Sequence, residues 1–261
     1  MLALISPAKK LDFETEPKIN SHTLPNLLKN TEILVSTARA LSQKKLATIM
    51  KLSDKLAELN FQRYKDFVTP FHLGNAKQAA LVFNGDTYQG LKAHTLDEPA
   101  MEYAQQHLRI LSGLYGILRP LDLIQPYRLE MGAKFQPPKF NNLYDFWGDQ
   151  ITAAINDVIK QQKDSTVINL ASMEYFKAVR AKELVGPVIT PTFKEVKDGE
   201  SRTIGMFAKR ARGSMAHFMI TNRIDSIDGL KNFNTDGYEY RSNLSNESNW
   251  VFTRLQPSSR S

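Results

Sequence analysis

Short apolar runs separated by longer amphipathic stretches organise this chain. LALIS at 2–6, ALVFN at 80–84, RILS at 109–112 and TVINLAS at 166–172 are too short for helices, which predicts buried strands. Between them the spacing turns helical. A helix is predicted over 24–41 with Thr23 as its N-cap, a second from Ser42 to Met50, and a third over 54–66 opened by Ser53. A long amphipathic helix is predicted over 143–162. GPVITPTFKEV, the turn KDGE and SRTIGMF read as a hairpin, because Asp-Gly suits the positive φ of a tight turn. A helix over 206–224 follows, then a last hairpin from YEYRSN and NWVFTRL, and a tail over 256–261 predicted to fray. Helices alternate with strands at first and hairpins accumulate late. The pattern predicts a mixed α/β fold, one domain over 1–255 with a mixed sheet surrounded by helices.

A chain of 261 residues can bury a substantial core without cross-links. It has no cysteine, which excludes disulfides, thiolate metal sites, thiol nucleophiles and thiol peroxidase chemistry. The apolar run in MLALISPAKK is short for a signal peptide, and none approaches the ~20 residues of a membrane span. The expectation is a soluble, cytoplasmic protein with no membrane partner.

The net charge of +7 changes the picture through its distribution. Residues 39–65 hold seven Lys/Arg (Arg39, Lys44, Lys45, Lys51, Lys55, Arg63, Lys65) against Asp54 and Glu58. Residues 206–223 hold Lys209, Arg210, Arg212 and Arg223 with no acid. On a helical wheel, Phe207, Ala211, Met215 and Phe218 share one arc, the predicted buried stripe. Lys209, Arg212 and Arg223 fall together on the far side, either as a solvated face or as a surface for an anion. Lys44, Lys45, Lys51 and Lys55 gather at the connection between two predicted helices, with the helix N-terminus at Ser53 adding partial positive charge.

Four predicted strands end in a small polar residue: Ser6, Asn84, Ser112 and Asn169. Such residues terminate strands, and together they also outline a crevice of the kind that binds ligands at the carboxyl ends of α/β sheets. Lys9 or Lys10 would meet an anion there. In ILSGLYGILRPLDLIQPYRLEMG at 110–132, Arg119, Asp122, Arg128 and Glu130 interrupt an apolar stretch. Buried arginines need partners. One reading pairs them with Asp122 and Glu130; the other leaves a guanidinium free to grip a phosphate or carboxylate. Arg119 and Asp122 suit the first role and Arg128 the second. Asp86, after Asn84-Gly85, reads as a turn residue. Ser6, Lys9, Arg119 and Arg128 form the candidate anion pocket. No P-loop or GxGxxG occurs, Gly113–Gly116 matches only GxxG, and the five histidines lack metal-ligand spacing. No cofactor or metal site is expected, and no catalytic motif is identifiable.

LISPAKKLDF, LSDKLAELN, FNGDTY, QHLRILSGLYGILRPLDLIQPYRLEMG, NLYDFWGD, INLASMEYFKAV and FAKRARG, in this order, resemble the YaaA family, also called UPF0246. The resemblance runs from residue 1 to about 255. It implies a peroxide-stress protein that limits oxidative damage to DNA and proteins and is linked to lower free iron. It also implies a mixed α/β fold with a positively charged cleft, and DNA binding aided by a helix-hairpin-helix element, here Lys44–Lys65. The chain departs from the usual hairpin in having no glycine in Met50-Lys51-Leu52-Ser53. Side chains of Lys51 and Lys55 and the amides at Ser53 and Asp54 would substitute. The expected partner is therefore DNA, double-stranded or branched, bound at its phosphates without base readout by Lys44, Lys45, Lys51, Ser53, Lys55, Lys209 and Arg212. The alternative is an enzyme or small-molecule binder acting on an anionic ligand in the strand-end crevice. An effect on iron would be indirect, since no iron site is recognisable.

Overall fold

A computed structural model describes residues 1–257, so most of the tail predicted to fray lies outside the described residues. In chain order the strand β1 (Leu2–Ile5) is followed by the helices α1 (Leu28–Arg39), α2 (Gln43–Met50) and α3 (Asp54–Asp66). Next come β2 (Lys77–Gln78), α4 (Ala79–Val82), α5 (Asp86–Leu91) and α6 (Glu98–His107). The strands β3 (Leu108–Ser112), β4 (Gly116–Leu118) and β5 (Leu123–Ile124) precede α7 (Leu143–Trp147) and α8 (Gln150–Ile159). Then follow β6 (Val167–Leu170), α9 (Met173–Phe176), β7 (Val188–Lys197) and β8 (Glu200–Arg202). The chain closes with α10 (Gly205–Thr221), α11 (Ile227–Leu230), β9 (Glu239–Tyr240) and β10 (Asn249–Leu255).

The main sheet has the order β4-β3-β1-β6-β7-β10-β9, with β8 paired to β7, and a small second sheet joins β2 to β5. β3, β1, β6, β7 and β10 run parallel; β4, β8 and β9 are antiparallel to their neighbours. The predicted mixed α/β architecture is therefore observed. β1 is buried along its whole length, as expected of a central parallel strand covered on both faces. From β1 the chain steps to β3 on one side, then returns past β1 to β6 on the other. The strand order reverses between β1 and β6, and their carboxyl ends form the crevice of the sheet.

Three local predictions need correction. ALVFN is no strand: Ala79–Val82 form a helical turn, and Phe83 makes only an isolated bridge to Leu11. Thr23 does not cap a helix. It bridges to Asp122 and donates its hydroxyl to that carboxylate at 2.6 Å, while the first helix begins after Pro25, at Leu28. The helix predicted over 143–162 is two, parted at Gly148, whose φ of 42° no helix continues through. The KDGE turn forms as predicted, with Asp198 and Gly199 both at positive φ.

α6 ends in a half-buried contact that sets a pH dependence. The His107 ring stacks on Tyr103 at 4.0 Å between centroids, and its Nδ1–H donates to the Met1 carbonyl at 2.9 Å. Burial pulls the imidazole below its ordinary value of 6.5, against the bond to Met1, which pushes the other way. With the folded pKa depressed, the unfolded chain binds the proton more readily. Stability is therefore intact above about 6.5 and declines as pH falls through the lower folded value. Denaturant midpoints of the wild type should drop between about pH 7.5 and 5.5 more steeply than those of His107→Gln.

Candidate functional site

At the crevice, β1 and β6 are tied together by Ser6. Its hydroxyl accepts the Ser172 amide at 2.8 Å and donates to the Ser172 hydroxyl at 3.3 Å. The Ser6 carbonyl accepts the Tyr88 hydroxyl of α5 at 3.0 Å. Ser112, at the end of β3, accepts the Tyr115 amide and shares a 2.7 Å bond with the Tyr127 hydroxyl. Asn169, near the end of β6, accepts the Ala171 amide and donates to Thr190. These polar strand ends shape the crevice by closing its backbone. Ser6 itself does not line the pocket, which begins at the next residue, Pro7.

The pocket sits above them. It holds about 80 Å³ and is lined by Pro7, Ala8, Lys9, Tyr127 to Glu130, Glu174 and Tyr175. Lys9 Nζ lies 2.5 Å from Glu130 Oε1, and Arg128 Nη2 lies 3.4 Å from the same oxygen. One carboxylate thus serves two cations, and the closer partner is the more exposed lysine. Arg128 Nε is buried with no acceptor among the described residues. Glu174 Oε1 accepts the Gly132 amide at 2.9 Å, fixing the other carboxylate. Burial raises the Tyr127 and Tyr175 hydroxyls well above their ordinary 10.0, and for Tyr175 the charges of Glu174 and Glu130 add to the rise. Both phenols stay neutral and keep their protons.

Arg119 is not part of this pocket. It donates its backbone amide, Nε and Nη2 to Asp122 at 2.7–3.0 Å and a further Nη2 bond to the Leu24 carbonyl. Asp122 is 1% exposed and fully occupied by these donors and Thr23, so this pair holds the core. Arg109 beside it is pushed down to about 10 by burial, with Asp122 opposing the shift. Arg119 and Arg109 line a hollow of about 950 Å³ with Met1, away from the strand-end pocket.

The helical hairpin abuts the same pocket. The Tyr64 hydroxyl of α3 donates to the Arg128 carbonyl at 2.8 Å, and Arg63, bonded to Asn60, is lowered by burial and then by the nearby Arg128 charge. α2 is capped by Ser42, which accepts the Lys45 amide. Lys51 ends α2 at φ 52°, taking a left-handed position that glycine usually fills. Ser53 stands at the N-cap of α3, as predicted, but its hydroxyl caps no amide, leaving the first-turn amides without a side-chain acceptor. Lys44, Lys45, Lys51 and Lys55 are exposed, and none has an ion-pair partner among the described residues. Arg39 serves the fold instead, since its guanidinium bonds the carbonyls of Tyr64, Lys65 and Phe67 and closes the end of α3.

On α10 the predicted stripe is only half right. Ala211 and Met215 are buried, but so are Ala208, Gly213, Ser214, Ala216, Met219 and Ile220, because the helix packs on both the sheet and α5. Phe207 and Phe218 are half-buried. Lys209 and Arg210 are exposed, whereas Arg212 is half-buried without a hydrogen-bond or ion-pair partner among the described residues, and burial lowers its proton affinity. Arg223 lies past the end of the helix. A chain of contacts joins the cationic elements: α3 through Tyr64 to Arg128, Glu130 and Lys9, then along the loop of Lys9 to the Ser6 carbonyl, which holds Tyr88 of α5, and α5 against α10. Reasoning from sequence missed Arg63, Tyr127, Glu174 and Tyr175. Only their place after strands could have marked Tyr127, Glu174 and Tyr175, while Arg63 was visible solely as one of the cations of the helical hairpin.

Fold and site together define a mixed α/β domain with a Lys-Glu-Arg pocket at the reversal of its strand order, bordered by a helical hairpin with lysines at its corner. The family model described as peroxide stress protein YaaA matches residues 1–244. UPF0246 proteins of Alteromonas mediterranea and Magnetococcus marinus are 51% and 54% identical to the chain, covering 99% and 97% of it and 100% and 99% of their own lengths. A UPF0246 protein of a Caulobacter species is 52% identical over 98% of the chain and 100% of its own length. The chain belongs to the YaaA family of peroxide stress proteins. Among the described residues no helix is long and apolar enough to cross a membrane.

Proposed function

We propose that the protein acts in the oxidative-stress response by binding DNA at its phosphates, without reading base sequence. The reading rests on one observation: four exposed lysines without acidic partners surround a hairpin connection whose following helix begins with uncapped amides. Phosphate is the anion that such a corner accommodates, with Lys51 and Lys55 as side-chain contacts and the Ser53–Lys55 amides as backbone ones. Lys44 and Lys45 extend the contact along α2, and exposed Lys209 supplies a second one from α10. Arg212, half-buried, contributes through its field more than by direct contact. Lysines that neutralise phosphates release condensed cations from the strand, ferrous iron among them. Peroxide then meets less iron at the DNA, which protects it without a dedicated metal site.

With about five phosphates neutralised, log K should fall against log salt with a slope near −4 to −5 on duplex DNA. Lys51→Ala with Lys55→Ala should flatten that slope by about two units. Fluorescence anisotropy over a salt series measures both. An unchanged slope removes the hairpin from the interface, and no binding at low salt overturns the reading.

A further inference from the structure

The strand-end pocket carries an inference separate from the DNA-binding hairpin. Its charges are unevenly paired. Glu130 sits 2.5 Å from Lys9 and only 3.4 Å from Arg128, whose Nε–H is buried without an acceptor among the described residues. Buried donors are normally satisfied, and an orphan points to a missing partner. Nε and Nη2 lie on one edge of the guanidinium, and that edge holds a planar carboxylate through two parallel bonds.

Charge selects the kind of anion. The charged lining is balanced, Lys9 and Arg128 against Glu130 and Glu174, and Arg63, outside the lining but near enough to Arg128 to feel its charge, adds one positive charge beside it. A monoanion balances it; a phosphate dianion would be held against two glutamates. Size is a second limit. A pocket of about 80 Å³ suits a small anion and not a nucleotide-sized one. Pro7, Ala8, Leu129 and the rings of Tyr127 and Tyr175 offer apolar walls for a small anion's short tail. Position is a third argument. The pocket lies where the strand order reverses between β1 and β6, the place where open α/β sheets take their ligands.

We propose that this pocket binds a small monocarboxylate metabolite, its carboxylate on the Nε/Nη2 edge of Arg128 and Lys9 alongside. Glu130 is then the internal competitor, occupying both cations while the pocket is empty. This makes an unusual expectation: removing an acid should tighten binding.

Isothermal titration calorimetry with acetate, lactate and pyruvate, and with inorganic phosphate as the contrasting probe, tests it on the full chain. Glu130→Gln should bind the preferred monocarboxylate about tenfold more tightly than the wild type, because a like charge leaves the site. Arg128→Lys keeps the charge but loses the fork, and should weaken binding by more than about tenfold. Thermal melts check that each variant folds. Should Arg128→Lys unfold, the Glu130→Gln result decides alone, since damage to the fold does not raise affinity. The proposal is overturned if neither wild type nor Glu130→Gln binds a monocarboxylate at millimolar concentration. It is equally overturned if phosphate binds better than all three acids, or if folded Arg128→Lys binds as well as the wild type. The double lysine variant of the hairpin should retain carboxylate binding, so the two readings fail separately.

Discussion

Gly213→Ala should destabilise the protein by about 3 kcal/mol or more, at the upper end of what overpacking costs. A Cβ at this position would stand 1.7 Å from the Thr87 carbonyl oxygen, and one at Gly90 would stand 2.0 Å from the Arg210 carbonyl oxygen. The obstructing atoms are backbone on both sides, so no side chain can swing clear. α5 and α10 would have to part. For a chain of this size the loss corresponds to a melting temperature lower by about 6–12 °C. Gly205→Ala is the matched control: its Cβ would meet nothing within 4 Å, and the change should stay within about 0.5 kcal/mol. The consequence reaches the pocket. Tyr88 on α5 holds the Ser6 carbonyl, so moving α5 pulls on the loop that carries Lys9.

These contacts explain why some of the molecule was legible in sequence and some was not. β1, β3 and β6 announced themselves as short apolar runs because central parallel strands are apolar on both faces. The same signal misled at ALVFN, since a buried helical turn and a buried strand of that length have the same composition. Local chemistry placed Ser53 at the N-cap position of α3 and found the Asp198-Gly199 turn, because those depend on neighbours in the chain. Arg119 and Asp122 could be paired for the same reason, being three residues apart and bonded to each other. Lys9 and Glu130 could not, because the sheet alone makes them neighbours. Nor could spacing show that Arg212 is half-buried, since the wheel saw one apolar stripe and the helix has two packing partners. The candidate pocket was thus visible as residue types at strand ends, while its pairing belongs to the tertiary structure.

The largest single-residue electrostatic effect should come from Glu195, far from the pocket in sequence and buried completely. It faces Arg254 directly across the β7–β10 register. Its Oε1 accepts Arg254 Nε at 3.1 Å and the Tyr238 hydroxyl at 2.5 Å, while Oε2 has no partner among the described residues. The Arg254 guanidinium packs against the rings of Phe207 and Tyr238, at 4.9 and 4.5 Å from their centroids, which leaves little of it in contact with water. Its remaining contact with an acid is Asp236 at 3.9 Å. Glu195→Ala would leave this cation enclosed without its main carboxylate, and should cost about 3–5 kcal/mol in chemical denaturation. Glu195→Leu combined with Arg254→Met should recover most of that loss, because the double change removes both desolvation costs together and fills the space with apolar atoms. If the double variant were as unstable as Glu195→Ala, the damage would lie in the packing of Tyr238 and Phe207 and not in an unpaired charge. The single and double variants therefore separate charge from shape at the junction of β7 and β10, the strands that complete the sheet beyond the pocket.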